Sequence, residues 1–588
     1  MGRVQAMEML FSTNATIDDS DNDDESDIDL DVNIIEEGEE EFEDGEDLDL
    51  DLDLDFSCSS RFLDSRSKKS RCTKSNPSAG SATQSAESCW TTETGNVRDW
   101  MIEFEEEVGG IHGLPDSSTP LDYFKLFIDD DIIDMIVEQT NLYAEQQQRN
   151  KGPDKYWKPV DQDDIVRFVY INMYFGIVKL PNTRMYWLGN KMWRIEGVAA
   201  VMGRCRFEKI RQYIHLMDKE KMPPRGSIEY DPIYKVRNFY NKIKEKCKAL
   251  YKPGKKLSVD EAMIGFRGRL FFPEYIKNKP TACGIKVWCL AEAETGYILE
   301  YNVYTGKDKA PMRDGLGHKV VMQLAEPYLD KGHEIFCDNF FSSIKLGEDL
   351  LDRKTYICST IRPNRKGWPY EKVKKAPKGQ CLMKQKGMLV ATQWTDKRQV
   401  NLLSSNADPV MATVQRRTKD GLQDIIIPSP VLAYNSGMFG VDLADQYRSY
   451  YPIGRNGKKW WRYLMWFCFQ VATINSYILM KRSTNSNNFT LLNHLNFRMQ
   501  LLEEMMSQKR NKRALTESPS VAGKCKPSSS DHQSRRMPGR QRRCFQCAEE
   551  GKKTGGGRSS ETCFGCHMCD IHLHKGYCFA KFHESIKN

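Results

Sequence analysis

Apolar positions recur every three or four residues from Pro120 to about Leu250, in stretches such as LDYFKLFIDDDIIDMIVEQTNLYAEQQQRN and VDQDDIVRFVYINMYFGIVKL. This is the period of helices with one buried face. The pattern changes at Leu257. KLSVDEAMIGFRG reads as a strand, and ACGIKVWCLAEAETGYILEYNVYTG as two strand-like runs about a turn at Glu294–Thr295–Gly296. A helix-like VVMQLAEPYLDKG leads to another strand in HEIFCDNFFSS, and short strands with Lys-rich turns are expected through 355–435. Helical spacing returns in GVDLADQYRSYY, KKWWRYLMWFCFQVATINSYILMKR and NFRMQLLEEMMSQKRNKR. The first residues, MGRVQAMEMLF, do not read as a secretory signal. No apolar run reaches eighteen residues, so no membrane span is expected.

Charge changes the picture. Asp18–Asp55 holds 22 acidic residues and no Lys or Arg, a composition that repels itself and buries little, so 1–95 is expected to be a disordered acidic tail. The chain has 86 Lys+Arg and 81 Asp+Glu; without that run, 86 basic face 59 acidic residues, a remainder near +27. Such an excess points to a polyanionic partner, nucleic acid first, against the plainer reading of a solvated basic surface. The tail is read as a solubiliser, with occupation of the chain's own basic surface as the alternative. The 18 cysteines are mostly scattered through segments that read as buried strands or helices, which fits a reducing compartment with thiols and one metal module better than a disulfide framework.

Four acids stand out: Asp260 in LSVDEAM, Asp338 in IFCDNFF, and Asp442 with Asp445 in GVDLADQ. Asp260 and Asp338 each follow an apolar β-type triplet, where a carboxylate is rarely placed without a ligand or partner. Asp442 and Asp445 are three apart and share a face if helical. Carboxylates at adjoining strand ends hold hard cations such as Mg²⁺, and a pair of ions stabilises both oxygens of a phosphoryl displacement. Singly, each acid also reads as a turn cap, a salt bridge or an exposed group. Arg267, Arg269, Lys277, Lys279, Lys286, Arg362, Arg365 and Lys366 surround these motifs and fit phosphate contacts, or equally an ordinary basic surface.

The C-terminal segment is denser. Cys544 and Cys547 form one C-x2-C pair, Cys566 and Cys569 another, and His574, Cys578 and His583 follow. So short a segment cannot bury a core of its own, and thiolate with imidazole at this density reads as a structural, cross-braced site for about two Zn²⁺. Cys563 or His572 is the candidate eighth ligand. Such a fold binds DNA, reads a chromatin peptide or recruits a ubiquitin-conjugating enzyme.

SVDEAMIGFRGR, YIKNKPTACGIKVW, CDNFFSS, YNSGMFGVDLADQ and ATINSYI, in this order, resemble the piggyBac transposase family over about residues 118 to 500, and the cysteine spacing resembles that family's C-terminal domain. His574 departs from it, standing where relatives often have Cys. The resemblance implies an α/β protein: an RNase H-like catalytic core at 257–370 and 431–457, a β-rich insertion at 371–430, and a helical dimerisation and DNA-binding region at 96–256 and 458–506. A basic linker at 507–543 and the Cys-rich zinc-binding domain at 544–588 complete it. Asp260, Asp338 and Asp442 match the family's metal-binding aspartates for two catalytic Mg²⁺, and Asp445 the nearby acid. Trp460 matches a tryptophan beside the active site; Trp461 and Trp466 are expected to pack into the core. The implied activity is cut-and-paste transposition of double-stranded DNA, through hairpin ends at terminal inverted repeats into TTAA targets, by a nuclear homodimer. The alternatives are a domesticated DNA-binding protein without transposition, which the intact aspartates disfavour, and a chromatin or ubiquitin adaptor, which the long helical and strand-rich body disfavours.

DNA binding is expected to weaken steeply with salt, because a remainder near +27 releases many counterions. Binding curves across a salt series, with and without Asp18–Asp55, check this. Tighter non-specific binding after deletion means that the tail competes with phosphate; superimposable curves leave it a solubiliser.

Overall fold

The computed structural model describes residues 89–588 except 189–191, 193, 277–280, 307–312, 372–375, 419–420, 455–456, 484–491, 516–533, 538–540, 555–556, 558, 567–568, 570 and 588. The acidic run therefore lies outside the described residues, as do Lys277 and Lys279.

The first helices are α1 (Pro120–Phe127), α2 (Asp130–Lys151), α3 (Gln162–Ile177), α4 (Arg204–Tyr213) and α5 (Arg237–Ala249). Their starts are written locally. Thr119 and Asp122 form a reciprocal capping box ahead of Pro120, and the carboxylates of Asp129 and Asp161 accept the N–H groups of Ile132 and Asp164.

A nine-stranded mixed sheet follows. Its strands are β1 (Lys256–Gly265), β2 (Glu274–Tyr275), β3 (Cys283–Glu292), β4 (Ile298–Val303), β5 (Glu334–Cys337), β6 (Tyr356–Thr360), β7 (Cys381–Lys386), β8 (Leu389–Thr395) and β9 (Gln399–Ser404). The order is β2-β3-β1-β5-β6-β9-β8-β7, with β4 also paired to β3. Only β1, β5 and β6 run parallel. The crossovers between them carry α6 (Leu316–Ala325) and α7 (Ile344–Asp352), since parallel neighbours need a long return connection.

The chain from 381 to 404 was expected in an insertion apart from the core. Its strands instead extend the same sheet, through pairing of Leu402–Ser404 with Cys358–Thr360. Of the stretch expected as the insertion, β10 (Met411–Thr418) and β11 (Gly421–Pro428) form a hairpin apart from that sheet. The end of the expected strand-rich stretch is helical: α8 (Ser429–Asn435) carries Pro430 in its first turn, where a missing N–H is tolerated. Trp90–Gly95, placed in the tail by composition, is fastened to the sheet: Thr91 bridges Gln385, and Trp90 Nε1 donates to the Gly367 carbonyl at 2.9 Å.

The last large helices are α9 (Gly440–Tyr450), α10 (Trp460–Ser483) and α11 (His494–Leu515). α11 runs into the expected linker and takes in the KRNKR cluster. α10 is long and apolar enough to cross a membrane by length and composition, but 89% of its 18-residue apolar window is buried inside the protein. It is apolar on all sides because it is the central core helix, enclosed by the sheet and by helices from both ends of the chain. The two helical blocks meet there: α10 and α11 pack on α1, and Glu504 accepts the Leu121 N–H at 2.9 Å.

Asn475 of α10 closes an edge of the sheet. Its amide accepts the Ile298 N–H at 3.0 Å and donates to the Ile298 carbonyl at 2.8 Å, standing in for a neighbouring strand. Asn475→Ala leaves both backbone groups buried without partners, and should cost about 2–4 kcal/mol by denaturant unfolding. An unchanged midpoint would mean that water replaces the amide.

Candidate active site and metal centres

The β1–β5 register sets the site. Val259 lies opposite Cys337 in a parallel pair, so Asp260, still within β1, and Asp338, just past the end of β5, stand side by side. Asp338 Oδ1 accepts the Phe340 N–H at 2.8 Å, and Asp260 Oδ1 the Glu261 N–H at 2.7 Å. The third acid arrives on α9, which packs over β1 and β3. Ser258 Oγ donates to the Met438 carbonyl at 3.0 Å, and a Cβ on Gly440 would stand 2.8 Å from the Glu292 carbonyl and 3.0 Å from Ser258 Cβ. Ser258 and Asp260 share one face of β1, so this approach brings the start of α9, with Asp442, over the face bearing Asp260. A similar fit precedes it, where a Cβ on Gly437 would lie 2.5 Å from the Phe336 ring.

The acids differ in surroundings. Burial first, then the charge of Glu261, raises Asp338 above the ordinary carboxylate range, against hydrogen bonds from Phe340 and Phe341 and the charge of Arg362. A carboxylate disfavoured in this way suits a cation. Asp442 is exposed. Asp445 is held by Arg448, whose Nη2 lies 2.7 Å from Oδ1 and whose guanidinium sits 4.9 Å from the Phe467 ring centre. Both acids line a groove walled by Met263, Ile264, Tyr463, Trp466 and Phe467. The aspartate trio is open: among the described residues, the only groups of three or more metal-type ligands lying wholly within 4.8 Å are in the C-terminal module. Mutual repulsion of carboxylates keeps such a trio apart.

The basic residues divide. Arg267, Arg269, Arg362 and Lys366 are exposed. Lys286, expected at a DNA surface, is instead drawn inward over the Trp288 ring at 4.7 Å, its side chain 13% exposed, because the aromatic faces of Trp288, Tyr304 and Phe340 attract the ammonium. Arg365 is half-buried and donates to the carbonyls of Asn339 and Phe340 at 3.0 and 2.7 Å, bracing the loop after Asp338, while Arg362 donates to Asn339 Oδ1 at 2.9 Å. Trp460 is half-buried, edge-on to Phe272, whereas Trp461 and Trp466 are in the core. Glu261, Asn339 and Arg448 were not singled out from sequence; Glu261 inside SVDEAMIGFRGR and Asn339 inside CDNFFSS carried a visible signal.

In the module, Cys544, Cys547, His574 and Cys578 form one four-ligand group, and Cys566, Cys569 and His583 a second of three. The groups interleave along the chain, which is a cross-brace. Both imidazoles are oriented from behind. His574 Nε2 donates to the Glu561 carbonyl at 3.3 Å, leaving Nδ1 3.4 Å from Cys547 Sγ; His583 Nδ1 donates to Phe579 at 2.7 Å, turning Nε2 toward Cys569. Neither Cys563 nor His572 joins either group. Burial, then Cys547 and Cys544, raises the Cys578 thiol to about 12, while, against burial, hydrogen bonds converging on Cys544 hold its thiol below the usual value, so one sulfur of the group carries charge more readily than its neighbour. The donor set fits zinc. The module also starts earlier than the cysteines suggest: β12 (Ser534–Arg536) pairs with β14 (Phe564–Cys566), and β13 (Arg542–Arg543) with Glu561–Thr562, so Arg535, Arg536, Arg542 and Arg543 belong to it.

Residues 119–477 match the family model described as Transposase IS4. The chain is 27% identical over 489 residues to human PiggyBac transposable element-derived protein 3, covering 79% of this chain and 76% of that protein. It is 25% identical over 398 residues to human PiggyBac transposable element-derived protein 5, covering 65% and 74%. Among solved structures it is similar to a piggyBac transposase in a synaptic complex with hairpin DNA, with TM-score 0.63 and 25% identity over 81% of this chain and 100% of that one.

The module's own core is little more than Cys544, Cys547, Leu573, Cys578 and Phe582, too small to hold a fold by burial alone. Full-length protein is expected to hold about two zinc ions, and a chelator to abolish ordered amide signals of 534–587 while those of the sheet persist. Metal analysis finding no zinc on reduced protein would refute the assignment.

Proposed function

Since the chain belongs to the piggyBac-type transposases, we propose that it cuts and rejoins double-stranded DNA at a site made by Asp260, Asp338 and Asp442. The observation that carries this reading is the register of β1 against β5, which sets two aspartates side by side under the start of α9. In this reading the parallel strands and their helices are an RNase H-like core. The three carboxylates would hold two Mg²⁺, which supply activation of the attacking oxygen and stabilisation of the leaving one.

The chain's own groups do the rest. Arg267, Arg269, Arg362 and Lys366, all exposed, neutralise backbone phosphates and give affinity without sequence choice. Arg365 and Lys286 brace the walls. Arg448 compensates Asp445, making it a supporting acid. Trp460, beside the groove's helix, stacks on a displaced base. The zinc module, with exposed Arg535, Arg536, Arg542 and Arg543, binds terminal repeats. The two helical blocks, packed on each other, provide the face of a C2 homodimer, one protomer per DNA end. The named structural relative is bound to hairpin DNA, which supports end-hairpin chemistry here; TTAA targets and action in the nucleus complete the proposal.

Asp260→Asn, Asp338→Asn and Asp442→Asn should each abolish Mg²⁺-dependent strand cleavage with DNA affinity little changed, and Asp445→Asn should lose only part of the rate. Full cleavage by any of the first three sinks the assignment; binding without cleavage by the wild type favours a DNA-binding protein that no longer transposes. Stability separates a structural role. A carboxyl raised on folding destabilises the native state once pH passes the unfolded value, so Asp338→Asn should raise the unfolding midpoint of metal-free protein at neutral pH and leave it unchanged in acid.

A further inference from the structure

Arg498, in the second turn of α11, is 1% exposed, and among the described residues no carboxylate pairs with it. A buried guanidinium is strongly unfavourable unless its donors are used. Its Nε donates to His494 Nε2 at 2.8 Å, its Nη1 to the Tyr451 carbonyl at 3.2 Å, and its Nη2 meets no acceptor. His494 lies among the rings of Tyr447, Tyr451 and Tyr477, each 5.2 Å between centroids. Burial, then Arg498, holds that imidazole at about 3, so it is neutral and accepts.

Tyr451 is the C-terminal cap of α9. Carbonyls at that end of a helix lack partners within it, and a cation there is favourable. α9 is therefore gripped at both ends: at Gly440 against the sheet, and at Tyr451 by a charge reaching from α11. Asp442 and Asp445 lie between. An apolar side chain of similar length would fill the space with less desolvation, so what the charge adds is its hold on the helix.

We propose that Arg498 is a positioning residue for the aspartate site, fixing the C-terminal end of α9 and so where Asp442 stands relative to Asp260 and Asp338. The inference rests on the strand-transfer reading. The test is nicking of supercoiled plasmid DNA by full-length protein titrated with Mg²⁺. Arg498→Met should lower kcat about 10- to 100-fold and raise the Mg²⁺ needed for half-maximal rate, with plasmid affinity unchanged. A folded Arg498→Met with the wild-type kcat and Mg²⁺ curve overturns the proposal. Should Arg498→Met fail to fold, Arg498→Lys, which cannot serve both acceptors, is measured the same way, and a wild-type curve from it overturns the proposal equally. Undiminished nicking by Asp442→Asn would instead sink the strand-transfer reading, and this inference with it.

Discussion

The approach of α9 to the sheet is the constraint on which the aspartate site depends. Gly440 must come so near Glu292 and Ser258 that no side chain fits, and the sheet there must be rigid enough to receive it. Rigidity comes from Glu292, whose buried carboxylate accepts from the Tyr251 hydroxyl at 3.0 and 2.9 Å, from the Gly254 N–H at 2.7 Å, and from Thr295. A carboxylate with this many donors is a fixed post. The turn that follows it, through Gly296, packs on α9 again beside Ala444. Two segments about 150 residues apart in sequence are thus locked before any ligand binds.

The same region shows how destabilising electrostatics are kept local. Asp338 is disfavoured as an anion where it stands, while Asp445 is balanced by Arg448 and Glu334 by Lys255 at 3.0 Å. In the C-terminal module crowded thiols meet the same difficulty, with oriented imidazoles completing the donor set.

The helical blocks before and after the sheet form one body because α10 has no polar face to turn outward. Its burial pulls α1, α3 and α5 onto it from one side of the sequence and α11 from the other. The sheet edge at β4 is sealed by the same helix, through Asn475. ATINSYI, which by sequence marked only a resemblance, therefore has a structural reason.

Much was legible without coordinates. Apolar periodicity located the helices, because burial of one face demands it. An Asp after an apolar β-type triplet pointed to Asp260 and Asp338, which the strand register sets side by side, and C-x2-C pairs pointed to cysteines that gather with histidines into two groups, because short spacings fix local geometry. Tertiary structure alone decided that 381–404 extends the main sheet, that Trp90–Gly95 is strapped across it, and that Lys286 and Arg365 turn inward. The burial of Arg498 against the end of α9 was decided there too. These outcomes hang on pairings between positions far apart in sequence, where the competing choices of water, an aromatic face or a carbonyl differ little in local pattern and are settled by packing.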